Sequence, residues 1–142
     1  MKRILVALDS SQRAPVVLTA ARRLADLSSA KLVIYRAIGI APDMPTDLFR
    51  MTDVRLDDYL VANAHADLER LISEIPKDRV ERITTSFATP WDGICRAAKE
   101  YDVDLIVLGS HGYGGLDRLL GTVAGKVANH ADRNVMIVRT PL

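Results

Sequence analysis

The chain carries a single cysteine, Cys95, so it can form neither an internal disulfide nor a cysteine-based zinc knuckle. Aromatic residues make up 5% of the 142 residues, too few for the stacking platforms of RNA-binding sheets. Neither sign of charge is in excess: 19 Lys and Arg face 18 Asp and Glu, a net charge of +1. That balance provides no overall field for nucleic acid, an anionic membrane or an acidic partner, so neither nucleic acid nor membrane is an expected partner. No apolar run approaches the ~20 residues of a membrane span. The run that follows Met1-Lys2-Arg3 stops at Asp9 after five residues, too short for a signal peptide. These absences lead to the expectation of a cytoplasmic, soluble protein. With 49% hydrophobic and 26% charged residues, residues 1–142 are expected to form one domain around a sizeable core.

What is present is an alternation of short apolar runs and helical periodicities. Residues 3–8 (Arg-Ile-Leu-Val-Ala-Leu) read as a buried strand that ends at the polar Asp9-Ser10-Ser11. Ser10 or Ser11 is placed to cap a helix with Pro15 in its first turn; Val17, Ala21, Leu24 and Ser28 repeat at helical spacing. Residues 31–38 form a second strand, and residues 39–52, with Pro42 and Pro45, a loop. Apolar positions from Leu56 to Ile75 predict a long amphipathic helix over residues 53–75, ended by Pro76. A polar, weakly alternating strand at residues 80–87 suits a sheet edge. A helix over residues 90–101, a buried strand over 103–108, a helix from about Gly121 and a last strand over 134–139 complete the chain. No internal repeat or interdomain linker interrupts it.

Strands alternating with helices predict an α/β fold: a five-stranded parallel sheet with helices on both faces, a Rossmann-like three-layer sandwich. Strand orders 3-2-1-4-5 and 2-1-3-4-5 both fit. Ligands of such sheets sit beyond the carboxyl ends of the strands, where the order reverses. The first order puts that point between strands 1 and 4, which end at Asp9 and Gly109, the most conspicuous strand ends in the chain. It is therefore the order chosen.

Six of the eight glycines fall between Gly109 and Gly125: Gly109, Gly112, Gly114, Gly115, Gly121 and Gly125. A glycine turn leaving a buried strand lets peptide N–H groups form an anion-binding nest. Gly121-Thr122-Val123 at a helix start offers free N–H groups, the helix dipole and a hydroxyl, all suited to phosphate. The P-loop pattern fails, because Gly121-Thr122-Val123-Ala124-Gly125-Lys126-Val127 is one residue short and ends in valine; G-x-G-x-x-G is absent. On chemistry alone the segment serves either phosphate binding or tight turns and close helix packing.

Several stretches together resemble the universal stress protein family. They are Ala7-Leu8-Asp9-Ser10-Ser11, Thr89-Pro90, Asp104-Leu105-Ile106-Val107-Leu108-Gly109-Ser110-His111-Gly112, Leu119-Leu120-Gly121-Thr122-Val123-Ala124 and Asn134-Val135-Met136-Ile137-Val138-Arg139. The resemblance covers the whole chain. It implies the sheet order chosen above, a homodimer, and an adenine nucleotide as ligand; Val135, Ile137 and Val138 are expected to give the C-terminal strand an exposed apolar edge, through which the homodimer would form. The ligand would be ATP, or AMP or ADP, with Mg2+ accompanying it. The family's ATP-binding branch carries G-x-x-G, nine residues, then G-[ST]. Here Gly109-Ser110-His111-Gly112 and Gly121-Thr122 match the two ends, but eight residues separate them; a second departure is Ala88, where glycine often stands. By position, the resemblance places Asp9 at the phosphates or their metal. Ala7 and Leu8 flank the nucleoside through their backbone, and Ala37 touches adenine. Leu108, Gly109, His111 and Gly112 line ribose and phosphates, and Gly121, Thr122 and Val123 hold the phosphate tail.

Asp9 is the candidate magnesium-facing carboxylate, against the plainer role of an acid at a helix start. Arg36, at a strand end, reaches either solvent or a ligand rim. Cys95 and Trp91 are expected to pack, and His65 and His130 have no partner histidine at ligand spacing. No catalytic constellation emerges beyond Asp9, which favours binding over catalysis. The leading reading is a nucleotide-binding stress or regulatory protein. The alternatives are a dimeric interaction module that binds no nucleotide and a slow ATPase or phosphotransferase.

Overall fold

The five apolar runs pair side by side in one parallel sheet. The structure is a computed structural model that describes residues 1–39, 53–110 and 122–139. Its elements are β1 (Arg3–Ala7), α1 (Ala14–Ser28), β2 (Lys31–Ile38), α2 (Asp53–Leu71), a 3-10 turn (Lys77–Arg79), β3 (Val80–Phe87), α3 (Pro90–Glu100), β4 (Leu105–Gly109), α4 (Thr122–His130) and β5 (Asn134–Val138). The sheet order is β3-β2-β1-β4-β5, as the position of the strand ends predicts. β1 lies between β2 (Leu5 opposite Val33) and β4 (Leu5 opposite Ile106).

Side chains alternate across each strand, so one sheet builds two cores. Ile4, Val6, Leu8, Leu32, Ile34, Leu105 and Val107 pack against α1 and α2. Leu5, Ala7, Val33, Tyr35, Ala37, Ile106 and Leu108 pack against α3 and α4. Ile4, Leu5, Val6 and Ile106 are wholly buried. Each such side chain is worth roughly 1.5–3 kcal/mol of transfer free energy, which makes the central strands the rigid frame of the molecule.

β3 is an edge strand, and its mixed sequence has a structural cause. Ile83 lies against the α1 and α2 core. Arg82, Thr84 and Ser86 pair beside Val33, Tyr35 and Ala37 on the opposite face. There Thr84 meets the Tyr101 hydroxyl at 3.2 Å and Ser86 the Tyr35 hydroxyl at 2.6 Å. Gly93 of α3 is required by close approach: a Cβ there would overlap the Tyr35 hydroxyl and come within 3.0 Å of the Ala88 Cβ.

Four local expectations change. α1 begins at Ala14 rather than beside Ser10 or Ser11, and its capping residue Arg13 makes no side-chain cap bond. The two serines lie in the preceding turn, where Ser11 Oγ accepts from the Arg13 amide at 3.2 Å. Ser28, counted on the inner stripe of α1, is exposed and donates its hydroxyl to the Leu24 carbonyl. α2 stops at Leu71 instead of Ile75, because the backbone tightens to three-residue bonds, Ser73 to Arg70 and Ile75 to Ile72, ahead of Pro76. Val138, expected on an exposed apolar edge, is buried at 9% exposure in the α1 core, because its position in the strand alternation turns it inward.

Candidate functional site

β1 and β4 are adjacent and parallel, so Asp9 and Gly109 leave the sheet at the same edge, where the strand order reverses. α4 returns between two parallel strands, β4 and β5, so its first residue, Thr122, also belongs to that edge. Thr122 is exposed and Val123 half-buried. Ala37 is the penultimate residue of the neighbouring β2 and pairs with Ser86. Ala7, Ala37 and Leu108 share the α3 and α4 face, each nearly buried. His111, Gly112 and Gly121 lie outside the described residues, as do Gly114, Gly115 and residues 40–52.

The backbone at the end of β1 is held by two consecutive residues of β2. The Leu8 amide donates to the Tyr35 carbonyl at 2.9 Å, and the Leu8 carbonyl accepts from Arg36 Nε at 2.8 Å. Both polar groups of the Leu8 peptide positions are thus engaged within the protein. Asp9 is half-buried, and its Oδ1 accepts from the Ser11 amide at 2.9 Å, an Asx turn that orients the carboxylate. Oδ2 makes no such turn bond.

Arg36, whose sequence position suggests either solvent or a ligand rim, is only 8% exposed and does not reach bulk solvent. Its guanidinium bonds the carbonyls of Leu8 and Asp9 and the carboxylate of Asp67 on α2, the last at 2.6 Å. The bond from Arg36 holds the Asp67 carboxyl below the usual carboxylate range. A charged residue inside an otherwise apolar strand was the available signal for Arg36. Nothing local pointed to Asp67, which stands 31 residues away along the chain. Ser110 was likewise not singled out; it is wholly buried, and its amide donates to the Val138 carbonyl at 2.9 Å.

The chemistry at this edge suits binding. Among the described residues no three His, Cys, Asp or Glu side chains gather as a metal site. Among the described residues of this edge, a magnesium ion would be held by the Asp9 carboxylate together with a ligand's own phosphates, which is how magnesium is commonly bound. Burial pushes the Cys95 thiol up, away from nucleophilic thiolate. Trp91 packs on His130, with ring centroids 4.7 Å apart, and so ties the start of α3 to the end of α4. A cleft of about 240 Å³ between α3 and β3 is lined by Tyr35, Thr84, Ser86 and Tyr101, whose hydroxyls bond one another. No described helix is long and apolar enough to cross a membrane.

Comparison with known proteins agrees with this architecture. The Universal stress protein family model matches residues 1–139. Universal stress protein A homolog 1 of Coxiella burnetii is 30% identical over 138 residues, covering 96% of this chain and 95% of its own length. The solved structure of UspA from Lactobacillus plantarum is 26% identical, with a TM-score of 0.73 over 97% of each chain. A universal stress protein solved in complex with cAMP is 25% identical, with a TM-score of 0.68 over 97% of this chain and 96% of its own. The match along nearly the whole chain, together with the shared sheet, establishes that this protein belongs to the universal stress protein family.

Proposed function

We propose that the crevice at the carboxyl ends of β1 and β4 binds an adenine nucleotide, ATP with magnesium, in a cytoplasmic stress or regulatory role exerted through ligand-dependent conformation. One observation carries this reading: the reversal of strand order sets Asp9, Gly109 and the start of α4 at a single edge. Helix N-termini and glycine turns favour phosphate, while a lone oriented carboxylate suits a metal delivered with that phosphate. The cAMP complex of a family relative supports adenine nucleotides as the ligand class. Ala7, Leu8, Ala37 and Leu108 would flank the nucleoside. Asp9 would face the metal, and Gly109, His111, Gly112, Gly121, Thr122 and Val123 the ribose and phosphates.

Calorimetric titration with ATP, AMP and adenosine tests the reading. ATP with magnesium should bind more tightly than adenosine. Asp9→Asn, which keeps the Ser11 acceptor but removes the charge, should weaken ATP with magnesium about tenfold and leave adenosine unchanged. Equal binding of ATP and adenosine would assign the glycines to turns alone and favour the interaction module that binds no nucleotide. The same reading includes a homodimer through β5, which has no partner strand on its outer edge among the described residues. Sedimentation at micromolar concentration should show a dimer; a folded monomer would exclude that interface.

A further inference from the structure

Arg36 is a buried cation whose three nitrogens all meet acceptors. Nε donates to the Leu8 carbonyl at 2.8 Å, Nη2 to the Asp9 carbonyl at 2.7 Å and Nη1 to Asp67 Oδ2 at 2.6 Å. Burying a guanidinium is costly unless its hydrogen bonds are met, and a planar fork meets them here with fixed geometry. The two carbonyls it grips bracket the chain where β1 ends and the Asp9 side chain departs. The preceding residue, Tyr35, accepts the Leu8 amide, so consecutive residues of β2 hold both polar groups of Leu8 at the end of β1. The Asp9 side chain is then fixed by one further bond, from the Ser11 amide at 2.9 Å.

The other arm of Arg36 leads to α2. Asp67 is half-buried and also meets Arg70 Nη2 at 3.3 Å. Asp67 thus fixes the rotation of the guanidinium, and the guanidinium fixes Asp9.

We infer that Arg36 is a positioning residue for the Asp9 carboxylate, set in turn by Asp67, so that α2 is mechanically linked to the metal-facing group of the crevice. The inference rests on the nucleotide reading for its consequence in binding, and on ligand-free geometry for its premise. This role requires no contact between Arg36 and a ligand. It acts by holding the peptide from which Asp9 projects, which matters because small misplacements of a coordinating group are costly.

Arg36→Lys retains the charge but lacks the fork that spans two carbonyls and a carboxylate. Asp67→Asn leaves both carbonyl bonds but weakens the anchor on α2. In the protein without ligand, amide hydrogen exchange at Ser11, which donates to Asp9, should be about tenfold faster in Arg36→Lys and about threefold faster in Asp67→Asn, as expected for a local opening. Exchange at Asp104, whose amide donates to Arg3 at the far end of the sheet, should not change. Unaltered exchange at Ser11, or equal acceleration at Ser11 and Asp104, would overturn the inference, the latter by showing a general loss of stability. Titration supplies the second readout: the ratio of ATP affinities with and without magnesium should fall about fivefold in Arg36→Lys, with adenosine affinity within twofold of wild type. A parallel loss for ATP and adenosine would overturn the positioning role. Failure of the wild type to prefer ATP with magnesium over adenosine would instead overturn the nucleotide reading, and exchange at Ser11 would then decide the role of Arg36.

Discussion

The two ends of the sheet treat their polar groups differently. At the amino end, side chains close the loops onto one another. Asp104 accepts from the amides of Lys2 and Arg3, at 2.6 and 2.9 Å. Arg3 pairs with Glu81 at 2.9 Å. Arg79 meets the Ala30 carbonyl and Asp26. Arg133 donates to the carbonyls of Ala98 and Val103, at 2.7 and 3.0 Å, joining the end of α3 to the approach of β4. At the carboxyl end the described polar residues include one interior clamp, Arg36, and one local turn at Asp9, while Thr122 stands exposed. The contrast teaches where a parallel sheet can host a ligand. The amino end has helix C-termini whose carbonyls must be satisfied by the protein, and arginine does so. The carboxyl end has helix N-termini whose amides can be left for an anion.

That contrast can be broken at either end. The largest effect should come from Arg133→Ala, which orphans two carbonyls at the amino end. Urea unfolding should show a loss of about 2–3 kcal/mol, since bonds to a charged donor are the stronger kind, with ATP affinity within twofold of wild type. Gly93→Ala should cost about 1–3 kcal/mol by forcing the buried Tyr35 ring aside. Adding Tyr35→Phe, which removes the hydroxyl a Cβ would strike, should restore part of that loss in thermal unfolding. A full cost retained in the double variant would mean that Ala88 rather than Tyr35 sets the limit.

Acid should affect both ends through depressed carboxyl groups. The backbone amides of Arg3 and Lys2 hold Asp104 below the usual carboxylate range, and Arg36 does the same for Asp67. A carboxyl depressed in the folded state contributes stability above its unfolded value of about 4. That contribution is fully present at neutral pH and is lost as pH falls below about 4 through the folded value. Asp104→Asn should therefore flatten the acid limb of the pH–stability curve, by no more than about 1 kcal/mol given its exposure to solvent. An unchanged acid limb would exclude Asp104 as a contributor. The smallest effect on stability should come from Thr122→Ala, under about 0.5 kcal/mol because the residue is exposed. The same variant should reduce the preference for ATP over adenosine about threefold in calorimetry, from loss of a single phosphate donor.

Much of the fold was legible because each decisive pattern is local. Apolar runs such as Ile4 to Leu8 and Leu105 to Leu108 have the length and continuity of strands covered on both faces. The polar break at Asp9 and the glycine at 109 marked the ends at which the order reverses. The polar character of residues 80–87 marked an edge. Asp9, Gly109 and Thr122 were legible as candidates by their position next to a strand or helix end, and the sheet order puts the ends of β1 and β4 side by side. The fate of Arg36 was not legible: it depends on which carbonyls lie across the strand boundary and on an aspartate brought in by another helix.

The sequence by itself therefore determined the element types, the parallel sheet and its order, and the edge at which polar groups gather, because side-chain periodicity and turn chemistry act over a few residues. Tertiary structure decided what those residues do to one another. Register turned Val138 inward, the approach of α3 demanded a glycine above Tyr35, and the crossing of α2 over β2 supplied the carboxylate for a buried arginine. Such pairings depend on distances between elements far apart in the chain, and these distances exist only once the two cores have packed.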